Sequence, residues 1–277
     1  MRLFLLVFLF HFVDCAGKSA EDYLSLGNRA LSNEANEKAI EFYKEGIDCL
    51  TENESLLTVL SLETNLATAL SSIGLNEEAV EHYRLAVTNY SEEVEGIADS
   101  ETKQYATDIT SQASFFLGMA LQDLGQPKKA VEAYGYAVVL DPYNWASLAN
   151  LGSVLHDDLR LHDEALEAYN KAYGILTQKE AEPTDPPAEP RFILSQLQYR
   201  IGLCLNHDLD RKCALADNPE IPVSCKEMAT HAFSLAVQYD PSNESAKHML
   251  ATITADATMK RASNEYVKKL FDDYAHK

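Results

Sequence analysis

The five cysteines and eight histidines are the residues in this 277-residue chain with the most chemistry to offer. Cys213 and Cys225 bracket Ala214 to Ser224, a stretch with turn residues and no helical period. A bridge between them would stabilise the fold by ~3 kcal/mol on the chain-entropy estimate. With Cys49 and Cys204, four cysteines follow residue 15, and they permit three full pairings among which spacing does not choose. The pair Cys213 and Cys225 is the expected disulfide, and Cys49, on a predicted helix, reads as a small buried side chain. A zinc set of Cys204, His207, Cys213 and Cys225 is the alternative, but its spacing matches no tight knuckle and an oxidising compartment favours cystine, so no metal site is expected.

Constellations for catalysis are missing. The eleven glycines are scattered singly, with none after Gly202, so neither a phosphate-cradling loop nor a dinucleotide fingerprint is available. His82, His156 and His231 fall on predicted helices without a nucleophile at a recognisable spacing. Carboxylates are too numerous for any chosen pair to be informative. The sequence therefore predicts no catalytic residue, no cofactor and no enzymatic activity.

Asp plus Glu number 43 against 23 for Lys plus Arg, a net charge of -20 that repels phosphate backbones and argues against a nucleic-acid partner. Arg2 precedes the apolar run Leu3 to Phe10, and Val13 and Cys15 then stand at -3 and -1 of a cut after Cys15. Residues 1–15 thus read as a secretory signal, placing the protein in the ER lumen or outside the cell; a buried or anchoring N-terminal helix is the alternative. Leu3 to Val13 is too short for the ~20 residues of a membrane-spanning helix, so no span is expected after cleavage. The last four residues, Tyr274 to Lys277, carry no ER-retention signal, which leaves residence and export both open. Three sequons, at Asn53, Asn89 and Asn243, lie near predicted helix ends and are candidate glycosylation sites.

Elements that could position any of these groups come in series. Leu117-Gly118, Leu121, Gly125, Ala130, Tyr134, Ala137 and Pro142 recur with a period of about 34. Leu151-Gly152, Leu155, Ala165, Tyr169 and Ala172 form the next copy, one residue longer, with the extra residue expected in the turn Asp158 to His162. Upstream stand Leu66-Ala67, Leu70, Gly74, Ala79, Tyr83 and Ala86, and before them Leu26-Gly27, Ala30, Ala39 and Tyr43, with Gly46 where Ala is expected. A fifth copy is split: Gly202 and Ala229 are 27 residues apart where 12 are expected, so its turn holds a 15-residue insertion before Phe233, Ala236 and Pro241. Small residues let two helices cross closely, the aromatic fills the space beside the crossing, and proline ends the second helix. These residues resemble the tetratricopeptide repeat.

That resemblance implies an all-α, right-handed solenoid of about five helix hairpins with C-terminal capping helices. Four repeats are expected over 20–179, then an acidic proline-rich linker or loop at 180–190, then the fifth repeat with its closing helix over 191–257. The remaining 258–277 form an amphipathic end helix. Interruptions are expected at Asn53 to Val59 and at Val94 to Thr110.

Members of the family bind proteins or peptides along the face of their first helices, which implies a partner-binding groove here of Asn28, Asn65, Thr68, Gln112, Phe115, Met119, Gln122, Ser153 and His156. Ser61, Thr64 and Ser71 would add a hydroxylated surface in the second copy. Members that clamp a terminal carboxylate carry basic residues where this chain has Leu24, Gln112 and Phe116, so such a clamp is not expected. Arg261 to Ala275 also resembles the entry to the catalytic domain of tetratricopeptide-linked methyltransferases. The expected function is a protein- or peptide-binding scaffold of the secretory pathway; the alternative is the substrate-recruiting part of an S-adenosylmethionine-dependent methyltransferase.

Overall fold

The computed structural model describes the backbone of residues 15, 17–51, 53–179, 188–209, 211–215 and 218–254, and their side chains except at 178–179, 188–190 and 212–223. Residues 1–14 of the expected signal, 180–187 of the acidic run and the expected end helix at 258–277 lie outside the described residues. The chain divides into two compact units, Met1–Pro142 and Tyr143–Lys277.

In the first unit, three hairpins follow one another: α1 (Ala20–Ser32) with α2 (Asn36–Asp48), α3 (Leu56–Ser72) with α4 (Asn76–Glu93), and α5 (Ser100–Asp123) with α6 (Pro127–Leu140). The second unit holds α7 (Trp145–Ser153) with α8 (His162–Lys179), then α9 (Ala188–Asn206) with α10 (Cys225–Tyr239), closed by α11 (Glu244–Thr254). First helices start on side-chain caps. Ser19, Ser55, Asp99 and Asn144 each accept a hydrogen bond from the backbone three residues on, satisfying one orphan N–H. Second helices α2, α4 and α6 start without one, after a tight turn that needs a left-handed residue: Glu34, Gly74 and Gly125, each with φ between 58° and 82°.

The crossing of each hairpin is built as the residue pattern predicts. A Cβ placed on Gly27 would lie 2.3 Å from the Tyr43 ring, on Gly118 2.6 Å from Tyr134, on Gly152 2.8 Å from Tyr169 and on Gly202 2.5 Å from Phe233. The second hairpin carries Ala67 at the same place, beside Tyr83, with both fully enclosed. These aromatics are the largest fully buried side chains, and each stabilises its hairpin by ~2 kcal/mol through burial.

Four local expectations need correction. The interruption at Val94 to Thr110 is mostly helix: a short 3-10 turn at Val94–Gly96 leads into α5, 24 residues long. The extra residue of the fourth copy is not in the turn before His162 but in a π-helical turn at Val154–Asp158, where Leu159 N–H bonds Val154 C=O five residues back. The left-handed position there is consequently Arg160. The acidic run is not extended to its end, because Ala188 to Pro190 begin α9, and proline is tolerated in a first turn. The insertion is not a loop throughout: β1 (Lys212–Leu215) pairs antiparallel with β2 (Asn218–Ser224), setting Cys213 opposite Val223.

Candidate functional site

In the first unit, α1, α3 and α5 lie side by side and share one face. Asn28, Asn65 and Thr68 stand on the first two helices, and Gln112, Phe115, Met119 and Gln122 on the third. Hydroxyls from the buried tyrosines reach this face from behind. Tyr43 donates to Asn28 Oδ1 at 2.8 Å, Tyr83 shares a hydrogen bond with Thr68 Oγ1 at 3.1 Å, and Tyr134 donates to Gln122 Oε1 at 3.2 Å. Burial pushes the Tyr43 phenol up to about 12, and that of Tyr83 likewise against the pull of Thr68, so both stay neutral and able to donate. Sequence reasoning marked these tyrosines as packing residues; their second role as supports for the polar groups in front of them was not visible in the spacing.

Asn65 Nδ2 donates to Asn28 Oδ1 at 2.9 Å and ties the first hairpin to the second. Because Asn28 Oδ1 already accepts twice, the Asn28 amide N–H₂ and the Asn65 carbonyl are left to bond outward, with no partner among the described residues. Farther along, Met119 is 41% exposed, whereas Phe115 is half-buried with its ring 6.0 Å from Tyr134 and 5.3 Å from Phe116. Gln112 is exposed. Thr64, expected on this surface, is buried instead. No cationic side chain stands at Leu24, Gln112 or Phe116.

Ser153 and His156 belong to the second unit and meet there on one carboxylate. Asp157 accepts from Ser153 Oγ at 3.1 Å, lies 2.8 Å from His156 Nδ1, and accepts from Arg200 at 2.5 Å. Burial alone would raise the Asp157 pKa, but the His156 hydrogen bond and the Arg200 charge outweigh it and hold the carboxyl well below its usual range. The sequence missed Asp157 and Arg200 because 43 residues separate them.

Cysteine placement changes one expectation. Cys15 and Cys49 form a disulfide across 34 residues, so Cys49 is no mere packing residue, and a cut after Cys15 would remove half of the bridge. Cys225 is disulfide-bonded; the side chain of Cys213, its expected partner, lies outside the described residues. Cys204 is free and buried in α9, and among the described residues no group of three or more His, Cys, Asp or Glu is placed to hold a metal ion. Of the sequons, Asn53 is exposed and Asn89 half-buried near the end of α4. Asn243 is 6% exposed: it donates to Ser195 Oγ at 3.0 Å and caps α11 by accepting from Ala246 N–H at 3.0 Å. No helix among the described residues is long and apolar enough to cross a membrane.

Residues 117–186 match the tetratricopeptide repeat family, and the solved structures to which the chain is similar are built from such hairpins. The fold is that of tetratricopeptide repeat proteins. The chain is similar to YrrB, described as a TPR protein with an unusual peptide-binding site, at 17% identity and a TM-score of 0.55 over 83% of this chain and 91% of that one. It is similar to a MamA protein at 20% identity and a TM-score of 0.54, covering 80% and 92% of the two chains. MamA from Desulfovibrio magneticus RS-1 is similar at 16% identity and 0.53, over 82% and 98%. Comparison with curated proteins finds no sequence match. The methyltransferase resemblance of Arg261 to Ala275 gains no support from these tetratricopeptide relatives, and its residues lie outside the described set.

Proposed function

We propose that the first unit binds an extended peptide segment of a partner protein across α1, α3 and α5. One observation carries this reading: the Asn28–Asn65 pair leaves the Asn28 N–H₂ and the Asn65 carbonyl without a partner among the described residues, the complement of a peptide C=O and N–H. The tyrosine behind Asn28 fixes the amide so that little rotamer freedom is lost on binding. Met119, exposed on α5, supplies an adaptable apolar contact for a side chain of the same peptide. The reading has no catalytic step, cofactor or metal.

We further propose that the protein works in the secretory pathway. The apolar N-terminal run, the Cys15–Cys49 bridge and the disulfide-bonded Cys225 support that compartment. With Cys15 kept for its bridge, the cut falls before it.

The test compares partners captured from secretory extract by the full chain, by Asn28→Ala/Asn65→Ala, by Met119→Ala and by Val139→Ala. Val139, 73% exposed on the second helix α6, serves as the control. Peptides derived from the captured partner should bind the Asn double variant at least about tenfold more weakly, a loss of ~1.4 kcal/mol, and the Val139 variant normally. Equal binding by all four chains rejects the reading.

A further inference from the structure

Three imidazoles meet at the start of α8. His162, its first residue, lies with ring centroids 4.9 Å from His156 in the π-helical turn and 4.1 Å from His207, which follows the last residue of α9. The planes of His162 and His207 are inclined by 30°, so the two rings lie against each other in a tilted arrangement. A cavity of about 200 Å³ opens beside them. The peptide-binding reading makes no use of this cluster.

Most of the charge around the rings is already committed. Asp157 takes His156 and Arg200, and Asp163 takes both terminal nitrogens of Arg211. Arg160 adds positive charge at the cavity wall, while Glu164 and Asp208 complete its acidic lining. Cys204, also on the wall, is neutral: burial pushes its thiol up to about 12. The α7 helix contributes no charged side chain.

The two rings differ in their surroundings. His162 Nδ1 is buried with no hydrogen-bond partner, and the ring sits at the positive end of α8. A proton there would create a buried N–H without an acceptor. His207 is exposed and stands just past the C-terminus of α9. One cation beside one neutral ring keeps the contact, whereas two cations at this distance repel. We propose that the His162–His207 pair is a pH-sensitive clasp between α8 and the end of α9, closed while at most one ring is charged and open when both are protonated.

The direction follows from linkage. Burial first, and then the charges of His207, His156 and Arg160, hold His162 below its ordinary 6.5 against the pull of Asp163. The unfolded chain therefore takes up this proton first. The contribution of the clasp is whole above pH 6.5 and is lost as pH falls below it.

Trp145, the single tryptophan, opens α7 in the same unit and reports its unfolding by fluorescence. In urea, the unfolding constant of the full chain should rise roughly tenfold between pH 7.5 and pH 5.0. His162→Phe, which keeps a flat ring that cannot charge, should remove at least half of that rise on a logarithmic scale; His231→Gln, exposed on α10, should leave it unchanged. An equal rise in His162→Phe and the native chain overturns the clasp. Should His162→Phe not fold, the ring signals of the native chain decide by magnetic resonance. His162 titrating below an unperturbed imidazole, with the His207 ring shifting over the same pH range, supports the clasp, and His162 titrating at or above that value overturns it.

Discussion

A Cβ on Gly46 would stand 2.8 Å from Leu62 Cδ2 on α3 and 3.1 Å from Tyr23 Cβ on α1, so this glycine of α2 sits where both neighbouring helices leave no room for a methyl. The family pattern has alanine there, and the departure is a packing solution: Leu62 is fully buried and occupies the space an alanine methyl would need.

Gly46→Ala should therefore destabilise the chain by ~1–3 kcal/mol through overpacking, although alanine is the better helix former. Gly135, inside α6 with open space for 4 Å around the point a methyl would occupy, gives the opposite sign: Gly135→Ala should stabilise by ~0.5–1 kcal/mol. Urea midpoints of the two variants check the pair, and a Gly46→Ala chain as stable as the native one would show that α2 and α3 can separate freely.

The Cys15–Cys49 bridge closes a loop with a sequence separation of 34 and should stabilise the first unit by roughly 4 kcal/mol. Proteolysis of the full chain without reductant, followed by mass spectrometry, should recover the Cys49 peptide linked to the one containing Cys15. Cys49→Ser should lower the denaturation midpoint of the first unit. A free Cys49 thiol in the native protein would contradict the bridge and restore a cut after Cys15.

Asp157 provides the acid-side counterpart of the histidine clasp. Its carboxyl is depressed in the fold, so its contribution is present above the unfolded value of 3.8 and is lost as pH falls through the lower folded value. The side chain is 44% exposed, which limits that contribution to ~1 kcal/mol after solvent screening. Asp157→Asn should cost about that much at neutral pH and flatten the loss of stability on acidification, both read by urea titration. Unchanged stability at both ends would mean that Arg200 and His156 find other partners.

Legibility tracked the range of the interaction. The Gly118–Tyr134 crossing and its equivalents in the first four hairpins lie a short way apart along the chain, and the Gly202–Phe233 one is stretched only by the insertion, so residue size and spacing betray them. Gly74 and Gly125 stood in the repeat pattern, but that they take the left-handed conformation, and that a non-glycine, Arg160, does so too, came from the structure. The π-helical turn escaped because an extra residue can be absorbed at several places at similar cost, and packing of Val154 and Leu155 selects one. Asn28 and Asn65 were identifiable through the family pattern, but the hydrogen bond joining them was not.

By itself the residue pattern determined the hairpins, their order and the five crossings, because a glycine or alanine opposite an aromatic has few ways to be buried in a paired helix. Tertiary structure alone decided which polar atoms were used up. It joined Cys15 to Cys49, turned Asn243 inward onto Ser195, gave Asp157 to Arg200 and left His162 Nδ1 without a hydrogen-bond partner. Those outcomes depend on side chains that are distant along the chain meeting in a shared low-dielectric space, and no local period encodes such a meeting.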